Sequence, residues 1–429
     1  MKKKFSLFVL VFAMLLLVGC TTKNEDFSLF NSGLLAVEKN NKWGYINNKN
    51  ETVIEFNYDE AYAFKDGHAI VQIGDKYTVI DTLGKSTLNK RYDNLNYDLE
   101  TGLLLYSLNS RWGLMDVNEK ILSEPFYDWI FSFEEGLALV KLNDKFGFID
   151  KKGKLAIPLD YDDASGFSQG LVAVKKGDKY GYIDKNNNIK IDFFYDEAYS
   201  FDEYKRAHVR DHDNDIDKLI DMSGKVIMEG SSITTGGPLY AVKEKEDGKY
   251  NIYDYDKKKF SGQEFNNVYY FHRYFARVND LDNEYLFFWF NEDGTVLASG
   301  DYYKTDYIPK ELNQEGFEVP EDYFMIEDED YLKVFTKTKN YQFSLDYEVM
   351  QFLKDEKFIV EKDDKYGIID KDSTTIINFL YDFLVKLSDG YYLYELNDKY
   401  GFMNNKFEII IPAEYDGFEF DNSPYMYYW

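Results

Sequence analysis

Residues 145–150 read Lys-Phe-Gly-Phe-Ile-Asp, and a Tyr-Asp pair follows at 161–162. Apolar runs on either side are separated by Asn143-Asp144 and by Gly153. Short apolar runs between such turn residues are typical of a β-meander, and no sustained helical period appears around them. The stretch therefore predicts three strands and a fourth extended piece in one unit, at 137–142, 145–150, 154–159 and 161–167.

The same motif recurs along the chain with a constant period. Its last residue is Asn47, Asp81, Asp116, Asp150, Asp184, Asp370 or Asn404, and within each run the spacing is 34 or 35 residues. The Tyr-Asp pair keeps step with the motif in seven copies. A period of this length predicts stacked structural repeats. The aromatic-glycine pairs are Trp43-Gly44, Trp112-Gly113, Phe146-Gly147, Tyr180-Gly181, Tyr366-Gly367 and Tyr400-Gly401.

The repeated residues are predicted to build the unit. A Gly inside a strand costs stability, so it indicates a bulge or a close approach of another backbone. The aromatic before it is then expected to pack on a neighbouring unit. The Asp of the Tyr-Asp pair is expected to cap the amides of a turn.

These motifs resemble the bacterial WG-repeat (KWG-repeat) family over residues 32–217 and 355–429. The resemblance implies an all-β fold of tandem β-meanders in a propeller-like array, with a β-solenoid as the alternative. Between 218 and 354 the Gly is lost and the spacing drifts. The predicted organisation is a signal peptide at 1–19, a lipidated tether at 20–28, repeats at 29–300 that degenerate from about 218, divergent repeats or an insertion at 301–354, and C-terminal repeats at 355–429.

The N-terminus has the pattern of an export signal. Lys2, Lys3 and Lys4 precede an apolar run at 5–18 that is too short for a confident membrane span. The run ends in Leu-Val-Gly-Cys, which resembles a bacterial lipobox, and Cys20 is the only cysteine. The expectation is an exported protein that is anchored by a lipid on Cys20 to the extracytoplasmic side of a membrane.

The charge balance excludes one class of partner. The chain carries 77 acidic and 50 basic side chains, a net charge of −27. Such a chain repels nucleic acids and anionic lipid headgroups. The membrane is therefore expected to be contacted through the lipid, and no nucleic-acid partner is predicted.

An acidic segment at 211–217 places Asp211, Asp213, Asp215 and Asp217 at alternate positions. It resembles the start of an EF-hand loop, but Ile216 replaces the required Gly and Met222 replaces the closing Glu. A solvated acidic turn is favoured over a weak calcium site, and no other cofactor is predicted.

Catalytic motifs are absent from the sequence. No nucleophile motif, phosphate-binding loop or metal-binding histidine pair is present. His68 and His208 lie at nearly equivalent repeat positions, which indicates packing variants of one position. The chain is therefore not expected to be an enzyme.

Aromatic side chains exceed what the repeat needs in several clusters, which could stack on sugars, anchor a protein or cover the ends of the array. The clusters are Tyr269-Tyr270-Phe271, Phe287-Phe288-Trp289-Phe290, Tyr391-Tyr392 and Tyr425-Met426-Tyr427-Tyr428-Trp429. The favoured function is a non-catalytic binding or scaffold module for a protein or glycan of the cell envelope. The alternatives are a hydrolase-type enzyme on a β-propeller with an unidentified acidic site and, less favoured, a substrate-binding lipoprotein for uptake.

Overall fold

A computed structural model describes residues 29–236, 239–246, 248–254, 264–272, 275–279, 285–290, 296–301, 323–328, 331–336, 339–345, 348–353, 357–387 and 390–419. Two compact units are present: Met1–Leu88 with Lys304–Trp429 (unit 1) and Asn89–Tyr303 (unit 2). Within the described residues the structure is β-strand and turn, with one short 3₁₀ turn at Asn31–Gly33. No helix in the described part of the chain is long and apolar enough to cross a membrane.

The described residues of unit 2 form six antiparallel meanders, here sheets 3 to 8. Their strands follow one another in space as they do in sequence. Sheet 3 has β7 (Asn94–Tyr97), β8 (Leu104–Leu108), β9 (Arg111–Met115) and β10 (Ile121–Tyr127); sheet 4 has β11 (Trp129–Glu134), β12 (Leu137–Leu142), β13 (Lys145–Asp150) and β14 (Leu155–Tyr161); sheet 5 has β15 (Asp163–Ala164), β16 (Leu171–Lys176), β17 (Lys179–Asp184) and β18 (Ile189–Tyr195). Sheet 6 has β19 (Glu197–Ala198), β20 (Arg206–Asp211), β21 (Ile216–Asp221) and β22 (Val226–Gly230); sheet 7 has β23 (Ser232–Gly236), β24 (Leu239–Lys243) and β25 (Tyr250–Asp254); sheet 8 has β26 (Asn267–His272), β27 (Phe275–Asn279), β28 (Tyr285–Phe290) and β29 (Val296–Asp301).

In unit 1, the part of the chain that the structure describes forms five sheets of the same kind. Sheet 1 has β1 (Leu35–Lys39), β2 (Lys42–Ile46), β3 (Thr52–Tyr58) and β41 (Gly417–Glu419); sheet 2 has β4 (Glu60–Ala61), β5 (His68–Ile73) and β6 (Lys76–Asp81); sheet 9 has β30 (Tyr323–Asp328), β31 (Tyr331–Thr336) and β32 (Lys339–Leu345). Sheet 10 has β33 (Glu348–Leu353), β34 (Lys357–Lys362), β35 (Lys365–Asp370) and β36 (Thr375–Tyr381); sheet 11 has β37 (Phe383–Lys386), β38 (Tyr392–Glu395), β39 (Tyr400–Met403) and β40 (Ile409–Tyr415).

The extended piece after each Tyr-Asp pair belongs to the following sheet. β15, for example, is only Asp163–Ala164, and it pairs with β16 rather than with β14. The predicted strands at 137–142 and 145–150 are confirmed, while the third runs from Leu155 to Tyr161. The Tyr-Asp pair is therefore the crossing point between consecutive sheets.

Sheet 1 is completed by the far end of the sequence. β41 pairs with β1 through Ala36↔Glu419, Val37↔Phe418 and Glu38↔Gly417. β41 takes the position before β1 in this sheet, so strands from both ends of the described chain complete sheet 1 of unit 1.

The hydrophobic core lies between consecutive sheets. In unit 2, for example, Leu139 and Phe148 of sheet 4 are buried in one cluster with Val172 and Val174 of sheet 5. Because each strand is short, no sheet can bury its apolar face alone, and the neighbouring sheet has to cover it.

The motif glycine accommodates a bulge in the neighbouring fourth strand. In sheet 4 the register shifts between Phe146↔Tyr161 and Phe148↔Ile157. A Cβ on Gly147 would lie 2.7 Å from the carbonyl oxygen of Ile157 and 2.8 Å from that of Pro158. Both expectations for this Gly, a bulge and a close backbone approach, are confirmed. The five other motif glycines meet the backbone carbonyl of the fourth strand in the same way.

Copies of the motif without Gly have a different fourth strand. Thr78 takes the Gly position in sheet 2, where its hydroxyl lies 2.9 Å from that of Ser86 and the sheet stops at three strands. Lys218 takes the position in sheet 6, where it pairs directly with Glu229, and the register shifts only after Leu219. The bulge in the fourth strand therefore occurs where the motif contains its glycine.

Candidate functional site

The Asp of the Tyr-Asp pair joins two consecutive sheets. Asp162 Oδ1 accepts a hydrogen bond from Lys145 Nζ of sheet 4 at 2.6 Å, and its Oδ2 accepts one from the Gly177 amide in the hairpin turn of sheet 5 at 2.8 Å. The bond from Lys145, followed by that from Gly177, lowers the pKa of Asp162. The predicted turn-capping role is confirmed, and the cation on the preceding sheet adds a second contact. We name this Lys/Arg–Asp–turn contact the clamp.

The clamp recurs in both units. It joins Lys42, Asp59 and Gly74; Arg111, Asp128 and Asn143; Lys179, Asp196 and His212; Lys365, Asp382 and Asn397; and Lys399, Asp416 and Asn40. The last of these links sheet 11 to the first hairpin turn of sheet 1. The clamp is therefore also present where β41 pairs with β1.

The last residue of the motif closes the turn that leads into the fourth strand. Asp150 Oδ1 accepts hydrogen bonds from the amides of Lys152 and Lys154, both at 2.9 Å. Such a side-chain-to-backbone contact is an Asx turn. Seven further copies make the same pair of contacts: Asn47, Asp81, Asp116, Asp184, Asp221, Asp370 and Asn404.

The motif aromatics pack against the following sheet, as predicted. Trp112 of sheet 3 lies 4.7 Å from Trp129 of sheet 4 between ring centroids. Tyr366 lies 5.6 Å from Phe383 of the next sheet, and Tyr400 lies 5.3 Å from Phe418. Gly, aromatic, Lys and Asp are thus all engaged in holding the array together, and a ligand site must use other residues.

Such residues occur on the first strands of three consecutive sheets in unit 2. In these three sheets the first and third positions after the clamp Asp carry different residues and are half-buried or exposed, whereas the second position is an aliphatic side chain turned toward the core. We name the six side chains at these positions in sheets 4 to 6 the first-strand row: Trp129, Phe131, Asp163, Ser165, Glu197 and Tyr199.

Aromatic rings form one end of the first-strand row. Trp129 is supported on one side by Trp112, which is 6% exposed. Phe131 follows at 6.2 Å from Trp129 and is 38% exposed. A buried tryptophan therefore fixes the position of two rings that reach the solvent.

Carboxylates and phenols form the other end. The Tyr180 hydroxyl donates a hydrogen bond to Asp163, and the Tyr199 hydroxyl donates one to Glu197 Oε2 at 3.1 Å. Burial and then the bond to Asp163 raise the pKa of Tyr180. His212 Nε2 lies 2.9 Å from the second oxygen of Glu197, and Tyr199 is 53% exposed. The carboxylates are thus oriented by fixed partners.

The acidic segment 211–217 forms the hairpin turn of sheet 6, beside this end of the row. Asp211 contacts Lys218 at 3.3 Å, and Asp213 lies 4.0 Å from Lys179. Asp215 and Asp217 share the Arg210 guanidinium, at 2.7 and 3.0 Å.

No cluster of three or more potential metal-binding side chains occurs among the described residues. The four carboxylates of the hairpin each lie beside a cation of the protein itself. The weak calcium site on Asp211, Asp213, Asp215 and Asp217 stays a prediction.

The two histidines of this region have different surroundings. His208 stacks on Tyr199 with ring centroids 5.4 Å apart, and its Nε2 lies 3.3 Å from Asp217 without a hydrogen-bonding direction. His212 instead lies beside Glu197. Burial alone would raise the pKa of Asp217, but the contacts with His208 and with the Ile233 amide lower it.

Three glutamates have raised pKa values: Glu38 in sheet 1, Glu134 in sheet 4 and Glu395 in sheet 11. Desolvation is the largest cause of the raised pKa in each glutamate, although Glu134 remains exposed in part. Acidic neighbours, different for each glutamate, raise the pKa further. An enzyme of the hydrolase type would need such groups to act as a pair. The three lie in different sheets, and the enzyme alternative stays an untested prediction.

Other predicted residues divide into two groups. Tyr392 is 5% exposed in the core of sheet 11, and Tyr391 packs on Phe30, so this pair serves the core. Cys20, the signal, the tether and the C-terminal aromatic cluster at 425–429 lie outside the described residues, as do the side chains of the clusters at 269–271 and 287–290.

Comparison of the sequence with known families matches a model described as WG containing repeat to residues 25–43, 43–77, 112–146, 146–180, 180–211, 366–400 and 400–425. The chain therefore carries WG repeats in both of its units. No curated protein matches it by sequence.

Several solved structures are similar. A eukaryotic initiation factor shares 10% identity, with 73% of this chain and 96% of that chain covered and a TM-score of 0.36. Hsv2p of Kluyveromyces lactis shares 8%, covering 55% and 96%, with a TM-score of 0.30. The WD40 β-propeller domain of Doa1 shares 15%, covering 53% and 92%, with a TM-score of 0.24.

Proposed function

We propose that this chain is a non-catalytic binding or scaffold module, because its WG repeats carry an exposed row of varied side chains. It recognises a protein or glycan of the cell envelope. A lipid on Cys20 holds it at the extracytoplasmic side of a membrane. The lipobox-like ending at Cys20 supports the anchor, and the absence of catalytic motifs supports a binding role.

One observation carries the binding role. The residues that repeat from sheet to sheet are engaged in clamps, Asx turns and bulges, whereas the first-strand row differs among sheets 4, 5 and 6. Trp129, Asp163 and Glu197 occupy equivalent positions in sheets 4, 5 and 6, so this position accommodates both an aromatic ring and a carboxylate. A constant scaffold with variable exposed positions is the arrangement by which repeat proteins present binding surfaces.

The anchor is tested by fractionation. The wild-type chain should sediment with membranes and require detergent for release, because an acylated cysteine holds a protein at the bilayer. Cys20→Ser should appear in the soluble fraction. Sedimentation of Cys20→Ser with the membranes would rule out the lipid as the anchor.

The binding role is tested with purified full-length chain, immobilised from detergent and exposed to solubilised cell envelope. The row variant Phe131→Ser/Tyr199→Ala should retain much less envelope material than the wild type. The matched control Phe126→Ser/Phe194→Ala removes two exposed aromatics from the fourth strands of sheets 3 and 5. Equal retention by all three chains would contradict a role for the row.

A further inference from the structure

We propose that Glu38, Trp43 and Gly417 of sheet 1 form a binding site for an arginine side chain of a protein partner. The site belongs to unit 1, whereas the first-strand row belongs to unit 2. The inference goes beyond the proposed binding role, because it assigns a separate site that does not depend on the row. It follows from the geometry above Gly417 and from the equivalent positions of other sheets.

Cross-strand pairing brings the three residues of the site together. Gly417 of β41 pairs with Glu38 of β1, and Glu38 pairs with Trp43 of β2. Side chains of residues directly opposite each other lie on the same face of a sheet. A Cβ on Gly417 would lie 3.0 Å from Glu38 Oε2 and 3.6 Å from Trp43 Cη2. The carboxylate and the edge of the indole therefore meet where Gly417 has no side chain.

The carboxylate of Glu38 contacts no cation and accepts no hydrogen bond among the described residues. The neighbouring cations are engaged elsewhere, Lys39 with Glu414 at 2.8 Å and Lys399 with Asp416. Burial and then the charge of Asp416 raise the pKa of Glu38, while Lys399 opposes the rise. A half-buried carboxylate without a counter-charge in contact is stabilised by a cation that a ligand supplies.

The equivalent position in sheets 4 and 5 shows where a cation fits. Lys141 and Lys175 take the place of Glu38 there, and each is paired with the motif aromatic of its sheet. Lys141 Nζ lies 5.4 Å from the ring centroid of Phe146, and Lys175 Nζ lies 5.3 Å from that of Tyr180. Sheet 1 has a carboxylate at this position, so the cation beside its motif aromatic has to come from outside.

Sheet 11 has a glutamate at the same position, but its surroundings differ. Glu395 pairs with Tyr400, and hydrogen bonding from the Tyr400 phenol partly offsets the rise in the pKa of that carboxyl. On its other side Glu395 pairs with Phe383, whose ring occupies the place that is open above Gly417. Sheet 1 thus combines a glutamate, an indole without a hydroxyl and an open position.

Arginine fits this combination better than lysine. Its planar guanidinium stacks on the face of an indole and donates two hydrogen bonds to one carboxylate, whereas an ammonium is a strongly hydrated point charge. Trp43 is half-buried, so part of the indole is accessible. The net charge of −27 attracts a basic partner over longer distances.

The site is tested by fluorine NMR of the full-length chain labelled with fluorotryptophan, with the Trp43 signal assigned from Trp43→Phe. The probe, acetyl-Gly-Arg-Gly-amide at millimolar concentration, should shift this signal and leave that of Trp112 unchanged. Glu38→Gln should weaken binding about tenfold or more, because a hydrogen-bonded charge pair is lost. The matched control Glu395→Gln removes the same charge in sheet 11 and should change the affinity by less than about twofold.

Two further measurements test the shape and the charge of the site. Gly417→Ser introduces the residue that sheet 7 carries at this position, Ser232, and its hydroxyl should weaken binding by donating to Glu38 in place of the ligand. The same peptide with citrulline instead of arginine has no positive charge and should not shift the Trp43 signal. Equal melting temperatures of Glu38→Gln and the wild type would show that a loss of binding is not a loss of fold.

Three results would each overturn the site: no shift of the Trp43 signal in the wild type, equal affinity of Glu38→Gln and the wild type, or an equal shift with the citrulline peptide. None of them bears on the first-strand row, because retention of cell-envelope material by the row variant is measured separately. Failure of this site and failure of the proposed binding role are therefore distinguishable.

Discussion

Adding one methyl group to the motif glycine should destabilise unit 2. In Gly147→Ala the new Cβ would lie 2.7 Å and 2.8 Å from two carbonyl oxygens of the fourth strand and 2.9 Å from the Leu159 nitrogen. Overpacking of this kind costs about 1–3 kcal/mol. The upper end applies here, since all three neighbours are backbone atoms of one bulge. The reduced freedom of alanine in the unfolded chain offsets about 0.5–1 kcal/mol, so the net loss is about 2 kcal/mol.

Urea denaturation followed by tryptophan fluorescence measures this loss, because Trp112 and Trp129 lie in sheets 3 and 4 beside the substitution. A loss of about 2 kcal/mol corresponds to about 4–8 °C in melting temperature for a unit of this size. Lys218→Ala is the matched control: it places alanine at the same motif position in sheet 6, where Lys218 pairs directly with Glu229 and no bulge lies opposite. Its cost should stay within about 1 kcal/mol. If Gly147→Ala costs no more than Lys218→Ala, the steric explanation of the glycine is wrong.

Three further perturbations follow from the contacts described above. Trp112→Ala should lower the free energy of unfolding by about 3–5 kcal/mol. A double-mutant cycle with Trp129→Ala should give a coupling energy of about 0.5–1.5 kcal/mol between the two rings. A coupling energy near zero would mean that the rings do not support each other. The pKa of Asp162 is lowered by Lys145 and the Gly177 amide, so its stabilisation is present above its unfolded pKa of about 3.9 and is lost as the pH falls through the folded value. The melting temperature of Asp162→Asn should therefore fall less than that of the wild type between about pH 5 and pH 3. An equal fall in both proteins would show that the clamp does not contribute to stability in acid. Calcium at about 5 mM should leave the melting temperature unchanged, whereas a rise that Asp215→Asn abolishes would establish a calcium site.

Residue spacing alone predicts much of the scaffold. A Gly inside a strand predicted a bulge or a close backbone approach, because a residue with a Cβ would clash where another backbone comes so near. The Asp of the Tyr-Asp pair predicted a cap on a turn amide. These predictions succeed because each depends on one residue and its immediate neighbours.

The contacts between sheets were harder to foresee. Lys145 and Asp162 are separated by 17 residues, as are Lys42 and Asp59, and this constant interval was the available signal for the clamp. Pairing of β41 with β1 had no such signal, because the two strands lie at opposite ends of the described chain. Such contacts require knowledge of which sheets are neighbours.

The first-strand row was not predicted, because internal repeats are recognised from the residues that stay constant from copy to copy. Trp129 is equivalent in position to Asp163 and Glu197 but unlike them in chemistry, so the position carries no constant motif. Aligning the copies and reading the positions that vary would have located them. The acidic turn at 211–217 was visible as a cluster of charge, but the partners of those carboxylates, Arg210 and Lys218, follow only from the hairpin register.

Hydrogen–deuterium exchange of the full-length chain, with and without solubilised cell envelope, measures the binding surface most directly. Bound material should slow exchange in peptides that cover 129–134, 163–168 and 197–201, where the first-strand row lies. Peptides from the fourth strands at 121–127 and 189–195 should exchange at unchanged rates. Slower exchange confined to the fourth strands, or no change in any peptide at saturating envelope material, would contradict binding at the first-strand row.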